Sequence, residues 1–143
     1  MWRTIESSLF RDRDKAVMFI GLNPSTADEV RDDPTIRRCI GFSREWGYSR
    51  LCMTNLFAYR ATDPRVMKEA DDPIGPENDD YLRRLSKEVD CVIAAWGNGG
   101  GFNNRDTAVM DLFPSLYALG LTRAGKPRHP LYVRSGSEPI LWK

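Results

Sequence analysis

Four stretches of this 143-residue chain hold side chains able to do chemistry, and each follows directly on an apolar run or a loop. The first is Gly21-Leu22-Asn23-Pro24-Ser25, which closes the run from Ala16 to Leu22. Gly21 lets backbone pass close to a neighbour. Asn23 precedes Pro24, so its backbone is pushed away from the helical region and its carboxamide is left to point into a cleft. Ser25, Thr26 and Asp28 are helix-capping types, and free amides beside them suit an anion. The second stretch ends a strand-like run at Thr54-Asn55 and continues through Phe57, Tyr59 and Arg60. The third closes Val89 to Trp96 with Gly97-Asn98 and a glycine-rich run to Asn104. The fourth is Arg128-His129-Pro130, around the only histidine.

A carboxamide such as Asn55 can make a paired contact to a base edge. An imidazole can donate to a base oxygen. Phe57 or Tyr59 can stack on a ring, and Arg60 and Arg128 can hold phosphates. Each also has a structural role open to it. Asn23 can shape a turn, Asn55 can tie a strand end to the next loop, His129 can be a hydrogen-bonded structural residue, and Phe57 and Tyr59 can be core.

The elements that must position these stretches alternate between strand and helix. Arg3 to Phe10 reads as an edge strand paired with the next strand, ending in the charged turn Arg11 to Asp14. Lys15 to Leu22, Arg50 to Phe57 and Val89 to Trp96 read as central strands. Pro34 opens a helix with Asp33 as its N-cap, and Gly47 ends it. A short helix is expected from Pro64 to Ala70, an amphipathic one from Glu77 to Glu88, and a third from Arg105 to Leu119 despite Pro114. Leu119 to Pro127 reads as a hairpin-type connection, and His129 to Val133 as a short last strand or loop. The run Gly97 to Asn104 reads as too glycine-rich for regular structure, and as a mobile or phosphate-approaching loop. The pattern predicts a three-layer αβα sandwich around a central, mostly parallel four-stranded sheet, with an extra N-terminal edge strand. Ligands of such sheets bind beyond the carboxyl ends of the strands, where all four stretches lie.

Composition narrows the function classes. The length suits one domain over 1-143, and 41% hydrophobic with 29% charged residues is ordinary for a soluble protein. No run approaches membrane-spanning length, and the first residues lack the apolar core of a secretory signal. Cys39, Cys52 and Cys91 form no Cys-x-x-Cys pair and read as buried thiols of a reducing, cytoplasmic compartment. One histidine weighs against a metal site, and no cofactor is expected. The net charge of +1 confines any nucleic-acid contact to a local patch. The glycines from Gly97 to Gly101 lack the dinucleotide-binding spacing.

Taken together, the four stretches resemble the uracil-DNA glycosylase superfamily. Gly21-Leu-Asn-Pro-Ser25 is similar to the water-activating motif of its mismatch-specific and thymine-DNA members. Leu51-Cys-Met-Thr-Asn55 resembles the strand whose last asparagine reads the flipped base. Ile93-Ala-Ala-Trp-Gly97 resembles the Leu-Trp-Gly strand end, and His129-Pro-Leu-Tyr132 the His-Pro-Ser motif of the catalytic histidine. The resemblance implies hydrolysis of an N-glycosidic bond of a nucleobase in DNA or a nucleotide. It implies Asn23 and His129 as catalytic residues. Gly21, Pro24, Ser25, Asn55, Phe57, Tyr59, Arg60, Gly97, Asn98 and Arg128 are implied as substrate contacts. Two departures stand out. Asn23 occupies the place of the aspartate found in the fast uracil enzymes, and Leu131-Tyr132 replaces small residues. Asp28, Asp32 or Asp33 is left to supply a carboxylate, with helix capping the other role for Asp33. The alternative reading is a module that binds a nucleobase, nucleotide or nucleic acid in the same pocket without cleaving it; a third is an accessory protein whose surface binds protein. Over nearly the whole chain, Asn-Pro-Ser-Thr-Ala-Asp, Asp-Asp-Pro-Thr-Ile-Arg-Arg-Cys, Asn-Leu-Phe-Ala-Tyr-Arg-Ala-Thr and Pro-Arg-His-Pro-Leu-Tyr also resemble a bacterial and phage family known only as a domain of unknown function.

Overall fold

The computed structural model describes residues 2–5, 15–25 and 33–143. Six strands form one sheet: Trp2–Thr4 (β1), Ala16–Gly21 (β2), Arg50–Asn55 (β3), Cys91–Ala94 (β4), Tyr117–Ala118 (β5) and Ile140–Leu141 (β6). Their order is β1-β3-β2-β4-β5-β6. The four inner strands run parallel, while β1 and β6 pair antiparallel at the two edges. The helices are Pro34–Glu45 (α1), Pro64–Glu69 (α2), Asn78–Ser86 (α3) and Arg105–Met110 (α4).

β2 is the centre because its sequence leaves it nowhere else to go. Residues 16–20 are all fully buried. A strand covered on both faces needs a continuous apolar run, as parallel strands do. Alternate side chains divide between the two faces. Val17 and Phe19 join Leu51, Ile93, Cys39 and Phe42 in one apolar cluster under α1. Met18 and Ile20 join Cys52, Ala94, Met67, Leu82 and Val109 in another under α2, α3 and α4. Trp46 stacks on Phe19 and Phe42 at 6.0 and 5.4 Å between ring centres. Helices therefore cover both faces of the sheet.

The caps follow the sequence. Asp33 Oδ1 accepts from the Ile36 amide at 2.8 Å, Pro34 follows it, and Gly47 (φ 88°) takes the left-handed turn beyond the end. Asp63 caps α2 in the same way through the Arg65 amide.

Several expectations need correction. The sheet is six-stranded and mixed, not four-stranded. β1 pairs with β3 rather than with the strand that follows it, and residues 6–14 lie outside the described ones. The helix expected to reach Leu119 ends at Met110. Pro114 lacks the amide a helix interior needs, and the chain beyond it becomes β5, parallel to β4. Of the strand or loop expected after His129, the chain takes the loop, with a 3-10 turn over Pro130–Tyr132 that Pro130 starts and His129 caps. The glycine-rich run is also ordered: Gly97–Asn104 forms 3-10 turns, with Asn103 and Asn104 in the left-handed region.

That glycine run is compact because Trp96 lies against it. Trp96 is 1% exposed, and a Cβ at position 100 would sit 2.2 Å from its Cδ1. A buried indole cannot swing away. Gly100→Ala is expected to lower stability by about 3 kcal/mol through overpacking, read as a lower urea midpoint at unchanged slope. An unchanged midpoint would contradict this packing.

Candidate functional site

The site begins where β2 and β3 end. Their outgoing loops stay side by side beyond the strands. The Leu56, Phe57 and Ala61 amides donate to the Gly21, Leu22 and Pro24 carbonyls, each at 2.9 Å. Asn23 Nδ2 crosses between the loops, donating to Ala61 O at 2.8 Å and Pro24 O at 3.2 Å. On the far side, Asn78 opens α3 and donates to Asn55 O at 3.0 Å and Leu56 O at 2.9 Å. Arg105, 3% exposed at the start of α4, donates from Nε to the same Leu56 carbonyl at 2.8 Å and pairs with Asp79. These loops, the first turn of α1 and the first turn of α3 enclose a cleft of about 710 Å³.

Three polar groups define its chemistry. The Asn55 carboxamide makes no hydrogen bond among the described residues, and it lies over Gly21. A Cβ there would be 3.0 Å from Asn55 Oδ1, which is why position 21 suits glycine. Asp33 brings a carboxylate into the cleft; besides capping α1, its Oδ2 accepts from Ser25 Oγ at 2.9 Å. His129 closes one wall. Its Nδ1 accepts from the Leu131 amide at 3.2 Å, so in the neutral ring the proton sits on Nε2. Burial holds its pKa below the ordinary value, partly opposed by the charge of Asp33. A neutral imidazole with a fixed Nε2–H donor therefore shares the cleft with a carboxylate and an unengaged carboxamide.

His129 also lines a second cavity of about 490 Å³, with Trp96, Gly97, Asn98, Thr122, Arg123, Arg128 and Tyr132.

With this geometry in view, the comparison with protein families has one result. The family described as "Protein of unknown function (DUF1643)" matches residues 1–131. The chain belongs to that family. No curated protein and no solved structure matches the chain. The matched span includes every residue that lines the larger cleft, so the site lies wholly within this domain of unknown function.

The structure gathers Gly21, Asn23, Pro24, Ser25, Asn55, Arg60 and His129 around the one cleft. Gly97, Asn98 and Arg128 stand around the second cavity instead. Phe57 lines neither: it is fully buried and packs against Phe102 at 5.8 Å. It sits inside because the loop after β3 keeps hydrogen-bonding to the loop after β2, which carries the side chain inward. Tyr59 is 43% exposed and lines neither cavity. Arg60 is engaged, donating to Ser25 O at 2.8 Å. Asp28 and Asp32 lie outside the described residues.

Asn78 escaped the sequence reading. Its one signal was a polar residue opening a helix just after a turn, which also describes any exposed helix start. Cys39 and Cys52 are buried, Cys91 is half-buried, and all three are free thiols whose pKa burial raises. Among the described residues no cluster of His, Cys, Asp and Glu could hold a metal ion, and no helix is long and apolar enough to cross a membrane.

The His129 environment predicts a pH dependence. Its folded pKa lies below 6.5, so the unfolded chain takes up the proton first as pH falls. Stability is fully present above the unfolded value and falls as pH drops through the folded one. Denaturant midpoints should decline below about pH 6.5, more steeply than in His129→Gln, and the His129 ring protons should titrate below the free-histidine value. A His129 that titrates above 6.5 would contradict its neutral state.

Proposed function

We propose that the cleft recognises a nucleobase and hydrolyses its N-glycosidic bond, in DNA or in a nucleotide. The reading rests chiefly on one observation: the unengaged carboxamide of Asn55 faces the same cleft as the Asp33 carboxylate and the neutral His129 ring. The ordered resemblance of these strand ends to the uracil-DNA glycosylase superfamily supports it.

Each residue then has a role. Asn55 offers one donor and one acceptor to a base edge. His129 donates from Nε2 to a base carbonyl oxygen and stabilises the negative charge that grows on the leaving base. Asp33 orients a water and accepts its proton as the oxygen bonds to C1′ of the sugar. The C1′–N bond breaks, its electrons go to the base, and the base takes up a proton as it leaves. Asn23 acts as a positioning residue, because its Nδ2 is already held by backbone carbonyls. That engagement also favours the second reading, a nucleobase-binding module without hydrolysis.

Two variants separate these readings. Asn55→Ala is expected to weaken base or nucleotide binding by about 5- to 150-fold, the worth of a paired amide contact, read by thermal shift against a panel of bases, nucleosides and nucleotides. Asp33→Asn keeps an N-cap residue type. It should retain binding but slow release of free base, followed by chromatography, by about a hundredfold or more. Binding lost in Asn55→Ala with no base release by the wild-type chain would select the binding module. No shift with any base-bearing compound would remove both.

A further inference from the structure

We infer that the second cavity is a phosphate site, so that the natural ligand of this cleft is a phosphorylated sugar or strand rather than a free base. The inference rests on the proposed base site for what lies next to it, but the cavity makes its own case. Among the described residues no carboxylate lines it, whereas two arginines do. Arg128 uses Nε to hold Leu121 O at 3.1 Å, which leaves its two terminal nitrogens with no bond among the described residues. Arg123 makes no hydrogen bond or ion pair among those residues. Asn98 Oδ1 accepts from Thr122 Oγ1 at 2.7 Å. That bond turns the acceptor of the carboxamide inward and leaves its NH₂ as the unengaged end. Thr122 Oγ1 in turn accepts from the Lys126 amide at 3.2 Å, so the hydroxyl is engaged on both sides.

The groups left to a ligand are thus mostly donors: two guanidinium ends, one amide NH₂ and the wall shared with His129. Such a set matches a ligand that only accepts and carries negative charge. Lys126, in the same hairpin, is paired with Asp106 at 2.7 Å. Placement adds to the argument. His129 lines both cavities, so a ligand that reaches from one to the other passes this residue. A base in the first cavity and a phosphate in the second are two parts of one nucleotide. Glycine at 97 fits the same passage, since its positive φ of 71° brings backbone to the cavity wall beside His129.

The test uses probes that carry no base. Inorganic phosphate, deoxyribose 5-phosphate and a short oligonucleotide of abasic sites are titrated against the full chain by calorimetry and thermal shift. Binding of at least one is expected, weakening at least tenfold in Arg123→Gln/Arg128→Gln. Arg123→Gln alone, which removes no internal bond among the described residues, should lose part of the affinity while keeping the wild-type melting midpoint. Arg83→Gln, remote on α3, controls for net charge and should bind as wild type. A preference for deoxyribose 5-phosphate points to a monoester, hence a nucleotide; a preference for the abasic strand, with steep salt dependence, points to a diester backbone. No binding of any probe, or equal binding by the double variant, overturns the inference. Failure of the base site is separate: it leaves base-free binding intact and unaffected by Asn55→Ala.

Discussion

A sheet satisfies its own backbone only while its strands stay paired, and this chain remains buried after that pairing ends. Leu56 and Phe57 lie just past β3 and are fully buried. A buried carbonyl left without a partner costs about 1–3 kcal/mol. The Leu56 carbonyl instead accepts from Asn78 Nδ2 and Arg105 Nε, side chains from the starts of two different helices. One backbone oxygen thereby fixes where α3 and α4 begin relative to the sheet. The arrangement has a cost of its own, since Arg105 Nη2 is buried without a partner among the described residues. The remaining guanidinium bonds, to Leu56 and Asp79, offset that.

The rest of the cleft is built by the same kind of cross-link. Asn23 joins the loop after β2 to the loop after β3, Arg60 reaches back to the Ser25 carbonyl, and Asp33 binds both Ser25 and the first turn of α1. Each link holds a side chain or loop in place before any ligand arrives, which is what a preorganised site requires. The two asparagines at the strand ends illustrate the division of labour. Asn23 has its amide nitrogen occupied by backbone and serves geometry. Asn55, one strand over, has its backbone carbonyl held by Asn78 and its carboxamide unengaged among the described residues.

The strand ends were legible in the sequence because an apolar run followed by polar residues is a local signal. So were the caps at Asp33, Pro34 and Gly47. What was not legible depends on neighbours far along the chain. The engagement of Asn23 is set by Ala61, 38 residues away, and nothing near Asn23 announces it. β5 and β6 have two residues each and no alternation to read, so neither was expected as a strand. β5 also lies in a stretch whose composition favours helix until Pro114 intervenes. Phe57 looked available because loops after strands are usually exposed; only the continued pairing of this loop turns it inward. Asp33 was visible as a cap, but a cap that also faces a cleft is a tertiary fact.

His129 shows how several of these constraints enforce one another. Leu131 donates its amide to Nδ1, which requires a lone pair there and puts the proton on Nε2. An imidazolium has no such lone pair, so protonation would set one N–H against another and loosen the turn over Pro130–Tyr132. Burial independently disfavours the charged ring. The same turn holds His129 at the wall of both cavities. A residue at such a boundary is useful as a donor of fixed direction rather than as a charge. The neutral tautomer leaves Asp33 to Ser25, the Ile36 amide and whatever enters. The capping bond at Leu131 and the chemistry available in the cleft are thus set by the same proton.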